Sequence, residues 1–241
     1  MKPQCLGFPN LGITTSRTKI LNTRRNKMTG DSLKAKVISA KLLTAVDEIM
    51  IKKFELPENH SDIGIFTTET DEVGYVAIDE ATKEANITAA YARSSYGGVG
   101  CENGGQMLGV ISGTSIDDVK AGLNYIVDFI SRKSGLYSAN DDGSITYFAQ
   151  TIASIGSYFS NRLNLPKGTA IAYVAAPPLE GIIGVDEVLR TTEVTVVEFW
   201  DTPTTTNRSG AIFTGTSSDC DAACRTFAQA VIKCVKKQVD I

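Results

Sequence analysis

Residues 170–199 read AIAYVAAPPLEGIIGVDEVLRTTEVTVVEF, a stretch with the pattern of a strand, a turn, a short helix and a second strand. Ala170–Ala176 is an apolar run that ends at two prolines, and Asp186–Thr192 is rich in helix-forming residues. Thr195–Phe199 is β-branched and aromatic, as residues of a strand usually are. The stretch therefore predicts one unit of an α/β fold.

The same pattern occurs earlier, in residues 62–93, which read DIGIFTTETDEVGYVAIDEATKEANITAAYAR. Ile78-Asp79-Glu80 corresponds there to Val185-Asp186-Glu187, 107 positions later. Such a repeat indicates that one α/β unit is duplicated within the chain. Four elements are predicted in the first copy, namely strands at Ile63–Thr67, Gly74–Ile78 and Ile87–Tyr91 and a short helix at Asp79–Asn86.

Further predicted elements complete each unit. In the first unit they are a strand at Ala35–Leu42, a helix at Thr44–Phe54, a strand at Gln106–Ser112 and a helix capped by Ser115. In the second unit they are a helix marked by Phe148, Ile152, Ile155 and Phe159, a strand at Ala211–Thr214 and a final helix. Residues 134–143 are predicted to link the two units.

Composition and charge limit the possible functions. The chain has 241 residues, of which 42% are hydrophobic and 21% charged, as in a globular protein with enough apolar residues for two cores. The net charge of -3 gives no general attraction to nucleic acid or acidic lipid, and no apolar run is long enough to cross a bilayer. Five cysteines, an odd number, fit a reducing compartment better than a disulfide framework.

Residues 1–27 differ from the rest, because they carry six basic residues and no acidic one. They lack the apolar segment of a secretory signal. Three interpretations stay open. The segment is a flexible basic extension or sequence upstream of a start at Met28, or it is an organelle transit peptide, or it is a tail that recruits an acidic partner. We favour the first.

A catalytic or metal-binding set is hard to assemble from this sequence. The single histidine, His60, lies in a polar loop with nothing nearby to orient it. Cys220 and Cys224 lie one helical turn apart without a second pair near them, which favours packing over metal binding. The glycine-rich loop around Gly98 lacks the third glycine of a dinucleotide fingerprint. We therefore expect no enzyme activity, no cofactor and no metal. The paired acids Asp79 and Glu80 are expected to lie in solvent at the N-terminus of a helix.

Several segments together resemble a known family. They are Asp79–Lys83, Tyr91–Gly97, Gly156–Ser160, Tyr173–Glu180 and Cys220–Cys224. In these segments, and in the order of its elements, the chain is similar to the tandem bacterial microcompartment shell proteins, above all those of the ethanolamine-utilisation type. The likeness covers residues 31–237. Shell proteins of the propanediol and ethanol types are the near alternatives.

The resemblance implies an α/β (α+β) fold in which a circularly permuted, ferredoxin-like shell domain is duplicated in tandem. It implies a first shell domain at residues 31–140 and a second at 141–241, and the flexible basic extension that we expect at residues 1–30 lies outside it. Each chain would then supply two similar units. A homotrimer would therefore form a pseudohexameric tile.

The resemblance also implies three groups of site residues. A small pore within each subunit would be lined by Asp71, Glu72 and Gln106, where Gln106 replaces a glutamate of the family. A central-pore loop would comprise Arg93, Ser94, Ser95, Tyr96, Gly97 and Gly98. Lys83 and Arg190, at equivalent places in the two units, would lie at the tile edge. Because one acid is lost, we expect weaker retention of a protonated amine than in a pore with three acids.

The implied function is that of a structural shell protein of a bacterial microcompartment in the cytoplasm. The tile would have pores for small metabolites and a central pore that could be gated. Its partners would be further copies of the chain, other shell proteins and metabolites in transit, and neither nucleic acid nor a membrane. A small-molecule binding protein, with a site for a cobalamin-like ligand between the units, is the alternative.

Overall fold

Two antiparallel sheets with accompanying helices make up the structure, a computed structural model that describes residues 28–96, 105–132, 134–237 and 239. The first sheet contains, in spatial order, β2 (Val37–Leu43), β3 (Asp62–Thr68), β5 (Gly105–Gly113) and β4 (Thr88–Tyr96). Its helices are α1 (Glu48–Lys53), α2 (Asp71–Glu84) and α3 (Ile116–Arg132).

The second sheet has six strands. In spatial order they are β1 (Ser32–Lys34), β6 (Ser134–Ser138), β7 (Thr146–Ile152), β8 (Ile171–Ala176), β10 (Ser209–Thr214) and β9 (Thr195–Trp200). Its helices are α4 (Ser157–Leu163), α5 (Pro178–Thr191) and α6 (Ser217–Lys236). The segment predicted as a linker therefore contributes β6, which joins the N-terminal strand β1 to this sheet.

The two units follow the same path. In the first, the chain passes through β2, α1, β3, α2, β4, β5 and α3, and in the second through β7, α4, β8, α5, β9, β10 and α6. The strand order also matches, since β5 lies between β3 and β4, which flank α2 in sequence, as β10 lies between β8 and β9, which flank α5. The predicted duplication of an α/β unit is confirmed.

The prediction of a strand at Gly74–Ile78 is wrong, because these residues belong to α2, which is continuous from Asp71 to Glu84. The short helix predicted at Asp79–Asn86 is confirmed as far as Glu84, where it forms the second half of α2. Val76, Ala77 and Ile78 are all fully buried, because α2 packs against the sheet on one side and against α3 and α4 on others. A segment buried on several sides lacks the polar face by which a helical period is detected.

The helix predicted from Phe148, Ile152, Ile155 and Phe159 is also wrong. Phe148 and Ile152 lie in β7, and Phe159 lies in α4 after a bend. All four side chains are buried, so their helical spacing reflects burial in two different elements rather than one helical face.

The cores of the two units meet. One cluster of buried side chains contains Phe66 and Met107 of the first unit together with Phe148, Phe159 and Tyr173 of the second. The two units are therefore held together by shared apolar packing. Within the described residues, no helix combines the length and apolar character needed to span a membrane.

Candidate functional site

Two successive acids, Asp71 and Glu72, begin α2, and only 6% and 4% of their surfaces are exposed. The hydroxyl of Ser94 donates a hydrogen bond of 2.7 Å to Asp71 Oδ2, and Tyr75 Oη lies 2.6 Å from the same hydroxyl. The first turn of a helix favours negative charge, since its free N–H groups point at it. The acids predicted in a turn are thus part of a buried polar centre.

Arg208, in the loop that connects β9 to β10, completes this centre from the second unit. Its Nε lies 2.9 Å from Glu72 Oε1, and only 7% of the residue is exposed. Its Nη2 donates to the carbonyl oxygens of Ala175, at 3.0 Å, and Thr146, at 3.3 Å. The guanidinium is therefore held in place by backbone acceptors while it faces the acid.

Burial and charge act together on Glu72. Burial and the neighbouring Asp71 carboxylate raise the pKa of Glu72 from its ordinary value of 4.5 to about 8, although the Arg208 guanidinium opposes this rise. At neutral pH the two acids therefore hold a proton between them for much of the time. Together with Arg208, the centre carries at most a small net negative charge.

Gln106, the third predicted pore residue, is not brought to the acids. A Cβ added to Gly105 would lie 3.2 Å from Asp71 Oδ1, so position 105 faces α2. Ser94, which contacts Asp71, pairs with Met107 across β4 and β5. Because side chains alternate along a strand, Gln106 lies on the opposite face of the sheet. The structure therefore groups Asp71 and Glu72 with Ser94 and Arg208 instead.

The sequence analysis did not identify Arg208 as a site residue, although the internal repeat contains a signal for it. Gly113-Thr114-Ser115 after β5 is matched by Gly215-Thr216-Ser217 after β10. Counting back from these matching segments, Arg208 holds in the second unit the place of Gln106 in the first. The repeat thus marks Arg208 as a counterpart of a predicted site residue.

The residues predicted for the central pore lie at the end of β4. Arg93, Ser95 and Tyr96 are exposed there, with 65% of Tyr96 accessible, whereas Ser94 is half-buried against Asp71. Gly97 and Gly98 lie outside the described residues.

Lys83 and Arg190, the predicted edge residues, have different surroundings. Lys83 Nζ donates to the carbonyl oxygen of Ser154 at 2.9 Å and lies 2.6 Å from Glu80 Oε1, and its side chain is 26% exposed. The Arg190 side chain is 70% exposed and pairs with Asp186 at 2.9 Å on its own helix. Only Lys83 is thus engaged at the contact between the two units.

Asp79 joins the two units by a helix cap that sequence reasoning missed. Its side chain is fully buried and accepts hydrogen bonds from the backbone N–H groups of Gly156, at 2.7 Å, and Phe159, at 2.9 Å. These are donors at the start of α4, whose own N-cap residue supplies no side-chain acceptor. The expectation of a solvated acid is wrong for Asp79, because its partners come from the other unit.

A cavity of about 580 Å³ lies in the cleft between the units. Its lining includes Tyr75, Tyr91 and Arg93 of the first unit and Tyr158 and Arg162 of the second. Arg162 lies 5.2 Å above the ring of Tyr75 and pairs with Glu198 at 2.9 Å. Neither Asp71 nor Glu72 lines this cavity, but Tyr75 does, and its hydroxyl lies 2.6 Å from that of Ser94 in the acidic centre.

The remaining reactive side chains have structural surroundings. His60 Nδ1 lies 2.9 Å from the hydroxyl of Ser112, which is fully buried in the first sheet. Cys220 and Cys224 lie in the apolar core of the second unit, where burial raises the pKa of the Cys224 thiol to about 12. Among the described residues, no group of three or more metal-ligating side chains comes together.

Comparison with known proteins gives consistent results. Residues 62–140 match the family described as BMC domain. The chain is 42% identical over 207 residues to the bacterial microcompartment shell protein EutL of Clostridium perfringens, an alignment that covers 85% of this chain and 95% of that protein. It is 31% identical over 212 residues to the EutL shell protein of Salmonella typhimurium, covering 87% and 97% of the two chains.

Solved structures of shell proteins are also similar to this chain. The crystal structure of the ethanolamine utilization protein EutL from Leptotrichia buccalis superposes with a TM-score of 0.85 at 42% identity, over 89% of this chain and 100% of that one. The crystal structure of a trimeric bacterial microcompartment shell protein, PduB, superposes with a TM-score of 0.72 at 19% identity, over 83% and 89% of the two chains. The second likeness shows the shared fold.

Proposed function

Because the chain belongs to the EutL family of bacterial microcompartment shell proteins, we propose that it is a structural tile of a shell of the ethanolamine-utilisation type. The observation that carries this conclusion is the 42% identity to a EutL shell protein over 85% of the chain. The relatives are structural shell components and not enzymes. The protein is accordingly a component of a microcompartment shell.

Shell proteins of this family form trimers that assemble into shells. For this chain we propose a homotrimer with two similar domains per subunit, divided after residue 140, where the match to the BMC domain ends. In such a trimer the contact between the units of one chain would recur between neighbouring chains. A repeated heterologous contact of this kind closes into a ring.

The surfaces that would make this contact are exposed and apolar. On α5 they include Ile182 and Ile183, which are 42% and 40% exposed, and on α1 they include Ile49, which is 75% exposed. Ile182 corresponds in the repeat to Tyr75, whose ring stacks on Tyr158 of α4 at 6.0 Å. Since α1 is the counterpart of α4, we propose that α5 of one subunit packs on α1 of the next.

Two passages for small solutes are proposed. One lies at Asp71 and Glu72 within each subunit, and the other lies where the ends of β4, with Arg93 to Tyr96, meet around the trimer axis. The first is supported by the buried polar centre in which Glu72 of the first unit pairs with Arg208 of the second.

Lys83 and Arg190 are proposed to border neighbouring tiles. Their equivalent positions in the repeat support this role. The exposure of Arg190 suits it for contacts outside the subunit, whereas Lys83 would have to share its ammonium group with Ser154.

The experiment that tests the proposed function combines solution mass with electron microscopy. Sedimentation equilibrium should give three times 25.8 kDa, and concentrated protein should form flat sheets with a hexagonal repeat. A monomer at all concentrations, or a trimer that never forms sheets alone or with other shell proteins, would contradict a tile.

A further inference from the structure

We propose that residues 237–241 of each subunit add a strand to the free edge of β2 in the next subunit of the trimer, with Val239 opposite Ile38. The inference rests on the proposed homotrimer and deepens it, because it names a second contact by which neighbouring subunits are joined. It starts from a strand edge that is free in the first unit and covered at the same place in the second.

The edge of the first sheet at β2 is free. Among the described residues no strand lies outside β2, whereas its counterpart β7 has β6 beside it. Ile38 and Leu43 on β2 are 45% and 39% exposed. The unpaired N–H and C=O groups of such an edge readily bind an extended segment of another chain. The first unit thus lacks a strand that the second unit has.

The strand that covers β7 is supplied by the other unit. Helix α3 packs on β2 and β3 of the first sheet and ends at Arg132. Strand β6 then begins at Ser134 and pairs with β7 of the second sheet. The chain therefore leaves one unit at the end of its last helix and adds a strand to the sheet of the next unit.

The last helix of the second unit, α6, is the counterpart of α3. It ends at Lys236, and residues 237–241 follow it. In the proposed ring, the second unit of one subunit meets the first unit of its neighbour in the way that the two units of one chain meet. Residues 237–241 are then related to β2 of the neighbour as β6 is related to β7.

Two tyrosines show what this contact contains where both strands belong to one chain. Tyr137 of β6 lies opposite Tyr147 of β7, and the centres of their stacked rings are 5.6 Å apart. Tyr147 is only 5% exposed. Because apolar pairs across two strands stabilise a sheet, side-chain packing supports the backbone pairing of β6 with β7.

Val239 corresponds to Tyr137 in the repeat. Gly113-Thr114-Ser115 before α3 recurs 102 positions later as Gly215-Thr216-Ser217 before α6, and the same number of positions separates Tyr137 from Val239. Val239 is 78% exposed in the single chain. An apolar side chain therefore lies in water where its counterpart is stacked on a partner.

Ile38 corresponds to Tyr147 in the same way. Leu56-Pro57 after α1 recurs 109 positions later as Leu165-Pro166 after α4, and the same number of positions separates Ile38 from Tyr147. Ile38 and Val239 are thus both apolar and exposed, and both correspond to residues that pair across two strands. Contact between them would remove both side chains from water.

The test is a disulfide between Ile38→Cys and Val239→Cys, both placed in the full chain, which is oxidised and run on a denaturing gel without reductant. Opposite residues of paired antiparallel strands have Cα atoms about 4.5 to 5.5 Å apart, a distance that a disulfide spans. We expect bands of two and three linked chains, since each subunit would contact both neighbours. Single-chain bands alone, from protein that sediments as a trimer, would overturn the inference.

The matched control combines Lys41→Cys with Val239→Cys. Lys41 is exposed on the same strand but lies three positions from Ile38, so its side chain lies on the opposite face of the sheet. This variant keeps all the native cysteines and should give only single-chain bands. Linked chains in equal amounts from both double variants would overturn the proposed register.

Sedimentation equilibrium separates the added strand from the proposed tile. Val239→Asp places a carboxylate in the apolar pair and should raise, by about tenfold or more, the protein concentration at which half of the chains are trimers. Ile116→Asp, at an exposed isoleucine that begins α3, should leave that concentration unchanged. If Val239→Asp forms trimers as readily as wild type, the added strand is refuted and the shell function stands. If the wild-type chain is monomeric, the proposed function fails instead.

Discussion

Asp79 shows how one side chain can organise the contact between two units. Its carboxylate is fully buried and accepts hydrogen bonds from two backbone N–H groups that lie 77 and 80 positions later in the sequence. Burial raises its pKa, while the N–H groups of Gly156 and Phe159 and the ammonium of Lys83 oppose that rise. Its counterpart in the repeat, Asp186, has a side chain that is 57% exposed. The same residue type is therefore a cap in one unit and a surface acid in the other.

Replacing Asp79 by Asn should lower the free energy of unfolding by about 2 kcal/mol, because one backbone donor of α4 loses its charged acceptor. Urea unfolding at a fixed protein concentration measures the change. Asp128→Asn is the control, since Asp128 pairs with Arg132 on an exposed surface and should cost less than about 0.5 kcal/mol. Equal effects of the two substitutions would refute the capping role.

Glu72 should make stability depend on pH. Its pKa is raised from 4.5 to about 8, so the folded chain binds its proton more tightly than the unfolded chain. Stability from this group is therefore greatest below the unfolded pKa and falls as the pH rises toward the folded pKa. Glu72 faces Asp71, Arg208 and Tyr173.

The measurement is the free energy of unfolding of wild type and Glu72→Gln between about pH 5 and about pH 8, the window set by that pKa shift. The difference between the two proteins isolates Glu72 from other titrating groups. We expect a steeper fall for wild type, and parallel curves would show that Glu72 does not titrate in this range.

At the scale of elements, α2 and α4 approach closely because Gly156 has no side chain. A Cβ added there would lie 2.5 Å from Thr82 Oγ1 and 2.6 Å from the carbonyl oxygen of Asp79. Thr82 Oγ1 also accepts a hydrogen bond of 3.0 Å from Ser157 N. Hydrogen bonds from the backbone of α4 to side chains of α2 thus hold the two helices together.

Gly156→Ala should therefore separate α2 from α4 and destabilise the fold by about 3 kcal/mol, as overpacking does in a filled core. Gly168→Ala is a useful contrast, because its Cβ has no neighbour closer than 3.9 Å but its φ is +86°. The left-handed backbone alone should cost about 1 kcal/mol. Thermal unfolding of both variants measures the difference, and a smaller effect at Gly156 would refute the close approach.

The sequence predicted most of the strands well. The strands β3, β4, β5, β8, β9 and β10 were all located, because β-branched residues and turn signals bound them. The first half of α2 was not, because its residues are buried on several sides and show no polar period. The helix predicted across β7 and α4 was wrong for the opposite reason. Its apolar residues have helical spacing in the sequence, but they belong to a strand and to a separate helix.

Only part of the acidic centre could be predicted from the sequence. Asp71 and Glu72 stand together in sequence, so their proximity needs no fold. Arg208 reaches them only because the β9–β10 loop packs on the other unit. The predicted role of Gln106 depends on which face of β5 it occupies, and a shift of one position along a strand reverses that face. Pairing of β4 with β5 decides this, and the sequence does not show that pairing.

At the scale of the whole molecule, an exposed cation on the rim of a tile should matter for sheets more than for trimers. Arg190→Ala removes a side chain that is 70% exposed, and an exposed ion pair is worth about 1 kcal/mol or less. We expect trimers of normal mass but fewer or no sheets in electron micrographs. Arg225→Ala, at an exposed site on α6, is the control, and unchanged sheets in Arg190→Ala would remove the edge assignment.

The trimer itself should depend on the apolar contact between α5 and α1. Ile182 and Ile49 are 42% and 75% exposed in the single chain, yet their counterparts Tyr75 and Tyr158 stack on each other inside it. Burying each isoleucine contributes roughly 2 kcal/mol, and a carboxylate in the same place would lose its hydration without a partner.

Ile182→Asp should therefore yield monomers of 25.8 kDa in sedimentation experiments, and Ile49→Asp should do the same, because the proposed contact has the two residues on its opposite sides. Both variants should keep the circular dichroism of the wild type, since neither side chain belongs to the buried core. Ile116→Asp, at an equally exposed isoleucine that begins α3, should leave the trimer intact. Trimers that survive both Ile182→Asp and Ile49→Asp would mean that the subunits meet through a different surface, and that the exposed face of α5 has another partner.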